Sequence, residues 1–404
     1  MKINYEELME VSKDYNDILT KLYKLKPCTD DEIYEICKDI KNKLIETNMF
    51  TPSNILKILS TASLYNNRSM KSYWAIFKKI YEDYRPDQII SSSSLFNYLI
   101  YKEYGLNIDQ NCKNPKEKFE LYNSSLDFLE KNTIYKAIMN DDKELFISLT
   151  EREGFDSNQM LQNDLYPYSK AGYSYLELCS YYGSVNCFKF LRTKYNSEIT
   201  QTCHQFSFLG GNPDIMSECL KCIKPDVESM MYAIISHNID FVTFLKNEYN
   251  IEIELLYCYH YNNYQAFFVY LDQTNEVNNI IFLSPRFFVP SLWEYFISHG
   301  VDINEKDSEC RTTLHRMVTH NRKQIAEFLI LHGADINAKD NKGRTALHLS
   351  ALSNRKQIAE LLVSHGADIS IKDNEGKTAL QYSLEKNNKE IADLLKSHGS
   401  NFKS

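Results

Sequence analysis

The chain has 404 residues, 43% hydrophobic and 25% charged, which is the balance of an ordinary folded protein. Its formal net charge of −8 argues against a nucleic-acid or anionic-membrane binder, because neutralising phosphates takes clustered Lys and Arg. No run approaches the roughly 18 apolar residues of a membrane span. Met1 to Leu25 is charged throughout and lacks the apolar segment of a secretory signal. A cytoplasmic or nuclear location is expected, and the ten cysteines read as free thiols in a reducing compartment.

The first 130 residues read as helices. Tyr5, Leu8, Tyr15, Ile18, Leu19 and Leu22 form one apolar stripe. Thr29-Asp30-Asp31-Glu32 is a capping box ahead of Ile33, Ile36, Cys37 and Ile40. Thr51-Pro52 opens a third helix with Pro at its first position. Met70–Tyr84 and Ser94–Tyr104 supply two more, separated by Pro86 and the Ser91–Ser94 run. The polar stretch Asp109–Lys118 reads as a linker.

From 131 to 300 a worn repeat emerges. Asp141–Leu149 is its earliest trace. Gly172–Leu178 followed by Gly183–Leu191 aligns without a gap to Gly343–Leu362. Helix starts then recur at 211, 237, 262 and 288, only 25 or 26 residues apart, enough for two short helices but not for a projecting turn. Tyrosine usage marks a boundary: 28 of 29 tyrosines precede residue 300, and Tyr382 alone follows it.

From 301 to 399 the repeat is regular. His-Gly recurs every 33 residues at 299, 332, 365 and 398, in step with Thr312–His315, Thr345–His348 and Thr378–Gln381. Each Thr suits the N-cap of a short first helix. Asn321, Asn354 and Asn387 stand where the chain must turn, and Asn tolerates the left-handed conformation. Ile358, Leu361 and Leu362 give the second helix its apolar side, Gly366 ends it, and His365 meets the negative end of its dipole. Asp307, Asp340 and Asp373 are turn formers whose carboxylates accept backbone N–H groups two residues on.

These residues resemble the ankyrin repeat, with its helix-opening Thr-Pro-Leu-His and closing Gly-Ala-Asp. The Pro position holds Thr313, Ala346 and Ala379 instead, and Gln381 replaces the third His. The resemblance implies an all-α, ankyrin-type helical solenoid with short β-turn fingers in the C-terminal repeats, preceded by a helical N-terminal region. It makes His315 and His348 hydrogen-bonders between units. Thr133–Met139, Phe206–Pro213 and Tyr232–Asn238 resemble a large family of protist ankyrin proteins, in which a Tyr-rich leader and a domain of unknown function precede regular repeats. The expected domains are 1–130, a helical leader; 131–300, degenerate helix pairs; and 301–399, three repeats (301–333, 334–366, 367–399). The polar surface of the last second helix suits an outer cap, so the array is expected to be complete there.

Catalytic signatures are missing: there is no phosphate loop, dinucleotide Gly pattern, nucleophile elbow, zinc-protease helix or calcium loop. No catalytic, cofactor or metal site is expected. The one metal-like spacing is Cys219-Leu220-Lys221-Cys222, with Cys203 and His204 upstream. Cys219 falls on a core stripe, and adjacent Cys203 and His204 point different ways on a helix.

A helix-pair solenoid presents an extended concave surface lined by finger tips and first helices. The candidate partner-binding residues are Lys306, Ser308, Glu309, Arg311, Thr319 and His320 in the first repeat. The second supplies Lys339, Asn341, Lys342, Arg344, Leu352 and Ser353. The third supplies Lys372, Asn374, Glu375, Lys377, Glu385 and Lys386. A Lys precedes each turn Asp, a basic stripe that hints at an acidic partner face, although a solvated residue carried along with the repeat gives the same pattern. Leu352 is the one large apolar side chain in the set and the candidate anchor. The expected function is a non-catalytic scaffold or adaptor that binds a protein partner, and neither nucleic acid nor membrane. The rival is an enzyme or zinc-dependent domain hidden in 1–300, with the repeats recruiting its substrate.

Overall fold

A computed structural model describes residues 4–47, 49–108, 133–161, 165–167, 171–274 and 289–399. Among them are 22 helices and no extended strand, so the all-α expectation holds. The chain divides into two compact units, Lys13–Tyr270 and Met1–Ser12 with Leu271–Ser404. The expected linker at Asp109–Lys118 lies outside the described residues.

The leader helices are α1 (Tyr5–Tyr23), α2 (Asp30–Asp39), α3 (Pro52–Tyr65), α4 (Met70–Tyr84) and α5 (Ser94–Tyr104). The capping box forms: the Glu32 carboxylate accepts from the Thr29 N–H at 2.8 Å while the Thr29 hydroxyl accepts from the Glu32 N–H. Thr51 caps α3 through its side chain alone, its hydroxyl accepting from the Asn54 N–H at 3.2 Å, with Pro52 at the first position. Trp74, Phe77 and Phe96 pack ring on ring, with centroids 5.2–5.7 Å apart, between α4 and α5.

Helix pairs follow within the same unit: α6 (Ile134–Asn140) with α7 (Lys143–Thr150), α8 (Tyr175–Tyr182) with α9 (Val185–Lys194), α10 (Gln201–Gly210) with α11 (Pro213–Cys222), α12 (Val227–Ile235) with α13 (Ile239–Tyr249), and α14 (Leu255–His260) with α15 (Tyr264–Thr274). A left-handed residue makes each turn between partners: Asp141, Gly183, Gly211, His237 and Asn262. Only residues 195–200, 223–226 and 250–254 join α9, α11 and α13 to the next pair, against residues 332–345 and 365–378 in the regular repeats. The fingers are trimmed for want of chain.

Neighbouring pairs are held by polar bonds that differ at each step. Glu177 accepts from the Thr200 hydroxyl at 2.7 Å. Gln201 and Gln205 both donate to Asp226, at 2.8 and 2.9 Å. Asn263 donates to the Ile234 carbonyl at 2.7 Å and His237 Nε2 to the Tyr261 carbonyl at 2.8 Å. The Gly183 and Gly210 backbones meet, so a Cβ on either would strike the other.

In the second unit, α16 (Pro290–Ser298) receives the first turns of α1: the Tyr295 hydroxyl donates to Glu7 at 2.9 Å and Ser291 Oγ to the Val11 carbonyl at 3.2 Å. Three regular repeats follow, with first helices α17 (Thr313–Thr319), α19 (Ala346–Leu352) and α21 (Ala379–Glu385) and second helices α18 (Lys323–Leu331), α20 (Lys356–Ser364) and α22 (Lys389–Gly399). Asn321, Asn354 and Asn387 are left-handed, with φ of 54–57°. One continuous core runs from Trp293 through Met317, Ile325, Leu329, Ile358 and Leu362 to Ile391 and Leu395. Each such side chain contributes about 1.5–3 kcal/mol through its removal from water.

Candidate functional site

The site is built from three fingers and three first helices. In each finger one Asp oxygen gathers two backbone N–H groups. Asp307 Oδ1 accepts from Glu309 and Arg311 (both 2.8 Å), Asp340 Oδ1 from Lys342 and Arg344 (2.9 and 2.8 Å), and Asp373 Oδ1 from Glu375 and Lys377 (2.9 and 2.8 Å). The second oxygen takes a different partner each time: Arg316 at 2.7 Å, Arg344 at 2.7 Å and the Tyr382 hydroxyl at 2.5 Å. Arg316 and Tyr382 share one register of the 33-residue period. Leu349 stands there in the middle repeat, and Arg344 fills the role from the finger itself. Burial works against ionisation of these carboxyls, but their hydrogen bonds outweigh it and hold all three below the ordinary carboxylate value.

Fingers are tied side by side. The Asn341 N–H donates to the Glu309 carbonyl and the Asn374 N–H to the Lys342 carbonyl, each at 3.0 Å. Asn374 Nδ2 also reaches the Asn341 carbonyl at 3.1 Å. Lys306 Nζ donates to the Lys339 carbonyl at 3.4 Å, and Lys339 Nζ to the Lys372 carbonyl at 3.2 Å. Two of the three stripe lysines are therefore engaged in holding the neighbouring finger.

All eighteen sequence-derived positions are exposed or half-buried. Arg344 has only 14% of its side chain exposed and is pinned to Asp340. Arg311 pairs with Glu309 at 2.5 Å, and Lys377 with Glu385 at 3.0 Å and Glu375 at 3.6 Å. Thr319 Oγ1 turns back to the Arg316 carbonyl at 2.8 Å. Leu352 is half-buried against the core, a shoulder more than a protruding anchor. Among the described residues Lys342, Lys372 and Lys386 are exposed and form no ion pair or hydrogen bond through Nζ, while Ser308, His320, Asn341 and Ser353 complete the surface. Sequence reasoning missed Leu384, 53% exposed beside Glu385 and Lys386. Its register mates Val318 and Ala351 are buried, so nothing in the repeat pattern marks this position as surface.

The histidines are structural. His315 Nε2 donates to the Arg344 carbonyl and His348 Nε2 to the Lys377 carbonyl, each at 3.1 Å, while Nδ1 accepts the N–H of Thr312 and Thr345 at 3.2 Å. Both rings must be neutral, because a protonated Nδ1 would face an N–H. Desolvation lowers the pKa of each. In the other unit burial lowers His237 to about 3. A lowered folded pKa gives stability that is complete above the unfolded value near 6.5 and is lost as pH falls below it. Between pH 7 and 5, His237 alone is expected to remove about 2 kcal/mol. Urea midpoints measured at both pH values check this: they should fall for the native chain, and fall less for His237→Asn.

The Cys219–Cys222 spacing does not assemble a metal centre. Cys203 and Cys219 are buried and Cys222 is exposed. His204 Nδ1 is engaged with the Ser229 hydroxyl at 3.2 Å. Burial pushes Cys203 up to about 11 and Cys219 to about 12, whereas a thiol nucleophile must ionise. No group of three or more His, Cys, Asp or Glu able to hold a metal occurs among the described residues. No helix there is long and apolar enough to cross a membrane.

Comparison with known families agrees with this geometry. Residues 287–373 and 339–404 match the model for ankyrin repeats (3 copies), and residues 195–270 match a domain of unknown function (DUF3447). No curated protein matches the chain.

Proposed function

From an array of ankyrin repeats preceded by a domain of unknown function, we propose that the chain is a non-catalytic scaffold or adaptor that holds a protein partner along the concave face of residues 301–399. Ankyrin repeats generally mediate protein–protein interaction. What supports a specific surface here is the division of labour among the cations. Most are spent on keeping the fingers rigid, while Lys342, Lys372 and Lys386 present their ammonium groups without an acidic neighbour in contact. Leu384 and the shoulder of Leu352 offer apolar contact beside them. A rigid, preorganised surface loses little entropy on binding, and three cations on an acidic chain favour a partner with an acidic face. The overall charge of −8 works against nucleic acid or anionic membrane as that partner. We place the cell compartment in the cytoplasm or nucleus.

The test is capture from the native cell with full-length bait, followed by titration of the captured partner. Lys342→Glu/Lys372→Glu/Lys386→Glu should weaken binding at least tenfold, about 1.4 kcal/mol, with its melting temperature kept. Lys323→Glu/Lys389→Glu, on the second helices, should bind as the native chain does. Equal affinity for native chain and triple variant would remove the groove assignment.

A further inference from the structure

The two residues ahead of each left-handed turn define a register common to every helix pair. In the regular repeats these residues are Thr319/His320, Leu352/Ser353 and Glu385/Lys386. In the degenerate pairs they include Met139, Tyr181/Tyr182, Leu209/Gly210, Ile235/Ser236 and Tyr261. There the leader already sits on them, through the turn that joins α3 to α4.

The contacts are specific and polar. Arg68 Nη2 donates to the Met139 carbonyl at 2.6 Å and the Tyr182 carbonyl at 3.0 Å, two carbonyls at the C-terminal ends of first helices. Its guanidinium also lies 5.5 Å from the Tyr182 ring centroid. Asn67, 3% exposed, accepts from the Tyr182 hydroxyl at 2.6 Å and donates to the Leu165 carbonyl at 2.9 Å. The Tyr181 hydroxyl donates to the Leu64 carbonyl at 2.9 Å. Tyr65 and Tyr261 share a hydroxyl bond of 3.1 Å, and Tyr23 stacks on His237 at 4.2 Å.

We propose that the groove of the degenerate repeats is a binding site for a helix–turn–helix segment whose turn carries an amide followed by a guanidinium, and that residues 64–69 are its resident ligand. The helix ends aim carbonyls into the groove, where a cation is favoured; one guanidinium nitrogen, Arg68 Nη2, donates to two of them, while the planar group lies against the Tyr182 ring. Groove tyrosines supply ring area and a hydroxyl for the amide. Tethering keeps the ligand at an effective concentration of roughly millimolar or more. An outside segment of equal affinity is therefore excluded until the turn is released. This site is separate from the surface proposed on residues 301–399.

The test uses the full chain and a labelled synthetic peptide of residues 51–84. In Asn67→Ala/Arg68→Ala, amide exchange across 64–69 and 179–184 should accelerate at least tenfold, with exchange across 346–364 unchanged. The variant should also bind the peptide at concentrations where the native chain does not. Tyr182→Phe, which keeps the ring and loses only the hydroxyl, should accelerate exchange at 64–69 alone and covers the case in which the double variant fails to fold. Unchanged exchange in Tyr182→Phe, or peptide binding of equal strength by native chain and double variant, would overturn the proposal.

Discussion

Alanine at Gly210 is expected to cost the unit of residues 13–270 about 3 kcal/mol or more, the upper part of the range for overpacking. A Cβ there would lie on the Ser180 carbonyl oxygen and 2.5 Å from the Gly183 nitrogen. These are backbone atoms of α8 and its turn, so no side chain can swing aside. The first helices of two consecutive pairs touch at that point, and separating them would strain the bonds from Glu177 to Thr200 and from Tyr182 to Asn67. The adjacent Gly211 is the control. It is left-handed with φ 63° and has open space around it, so Gly211→Ala should cost only about 1 kcal/mol, the conformational penalty. Urea unfolding followed by tyrosine fluorescence reads both. Equal costs for the two substitutions would refute the close-approach account.

Asp340→Ala should cost about 3–5 kcal/mol, the range for breaking a buried pair from one side. The side chain is fully covered, and its loss strands the Lys342 and Arg344 N–H groups together with the Arg344 guanidinium. The finger also carries the bonds to its neighbours, so the effect should spread to both flanking repeats, as nearest-neighbour coupling in a solenoid requires. Asp307→Ala should cost less, because that carboxylate is partly open and Arg316 keeps a third of its surface in water. Thermal denaturation of the two single variants decides: if Asp307→Ala proves the more damaging, burial is not the controlling factor. A binding loss seen with Arg344→Ala would, for the same reason, report a broken finger as much as a missing contact.

Much of this was legible beforehand because the repeat is local. Thr345, His348, Asn354 and Gly366 each satisfy a backbone requirement within a few residues of themselves, so their spacing carries the helix pair and its turns. The short joins at 223–226 and 250–254 exclude fingers by length alone. The 33-residue period nominated positions on fingers and first helices that the structure leaves exposed or half-buried. It did not reveal which cations are spent, since the bonds from Lys306 to Lys339 and from Arg344 to Asp340 depend on side-chain reach across the solenoid. Leu384 was invisible because its register mates are core. The leader's place was hidden for a related reason: Arg68 and Tyr182 are 114 residues apart, and nothing in either neighbourhood announces the other. One trace was present in His237, which occupies a left-handed position otherwise held by Gly, Asn or Asp and does so because its ring is needed against Tyr23.

The sequence alone thus determined the helices, their pairing, the regular repeats and the class of surface they present, all consequences of backbone requirements met within one or two turns of chain. Only the tertiary structure decided which of that surface stays unengaged: lysines consumed by neighbouring fingers, and a leader turn seated on the degenerate pairs. Those outcomes rest on contacts between residues tens to hundreds of positions apart, whose geometry exists only once the solenoid has stacked.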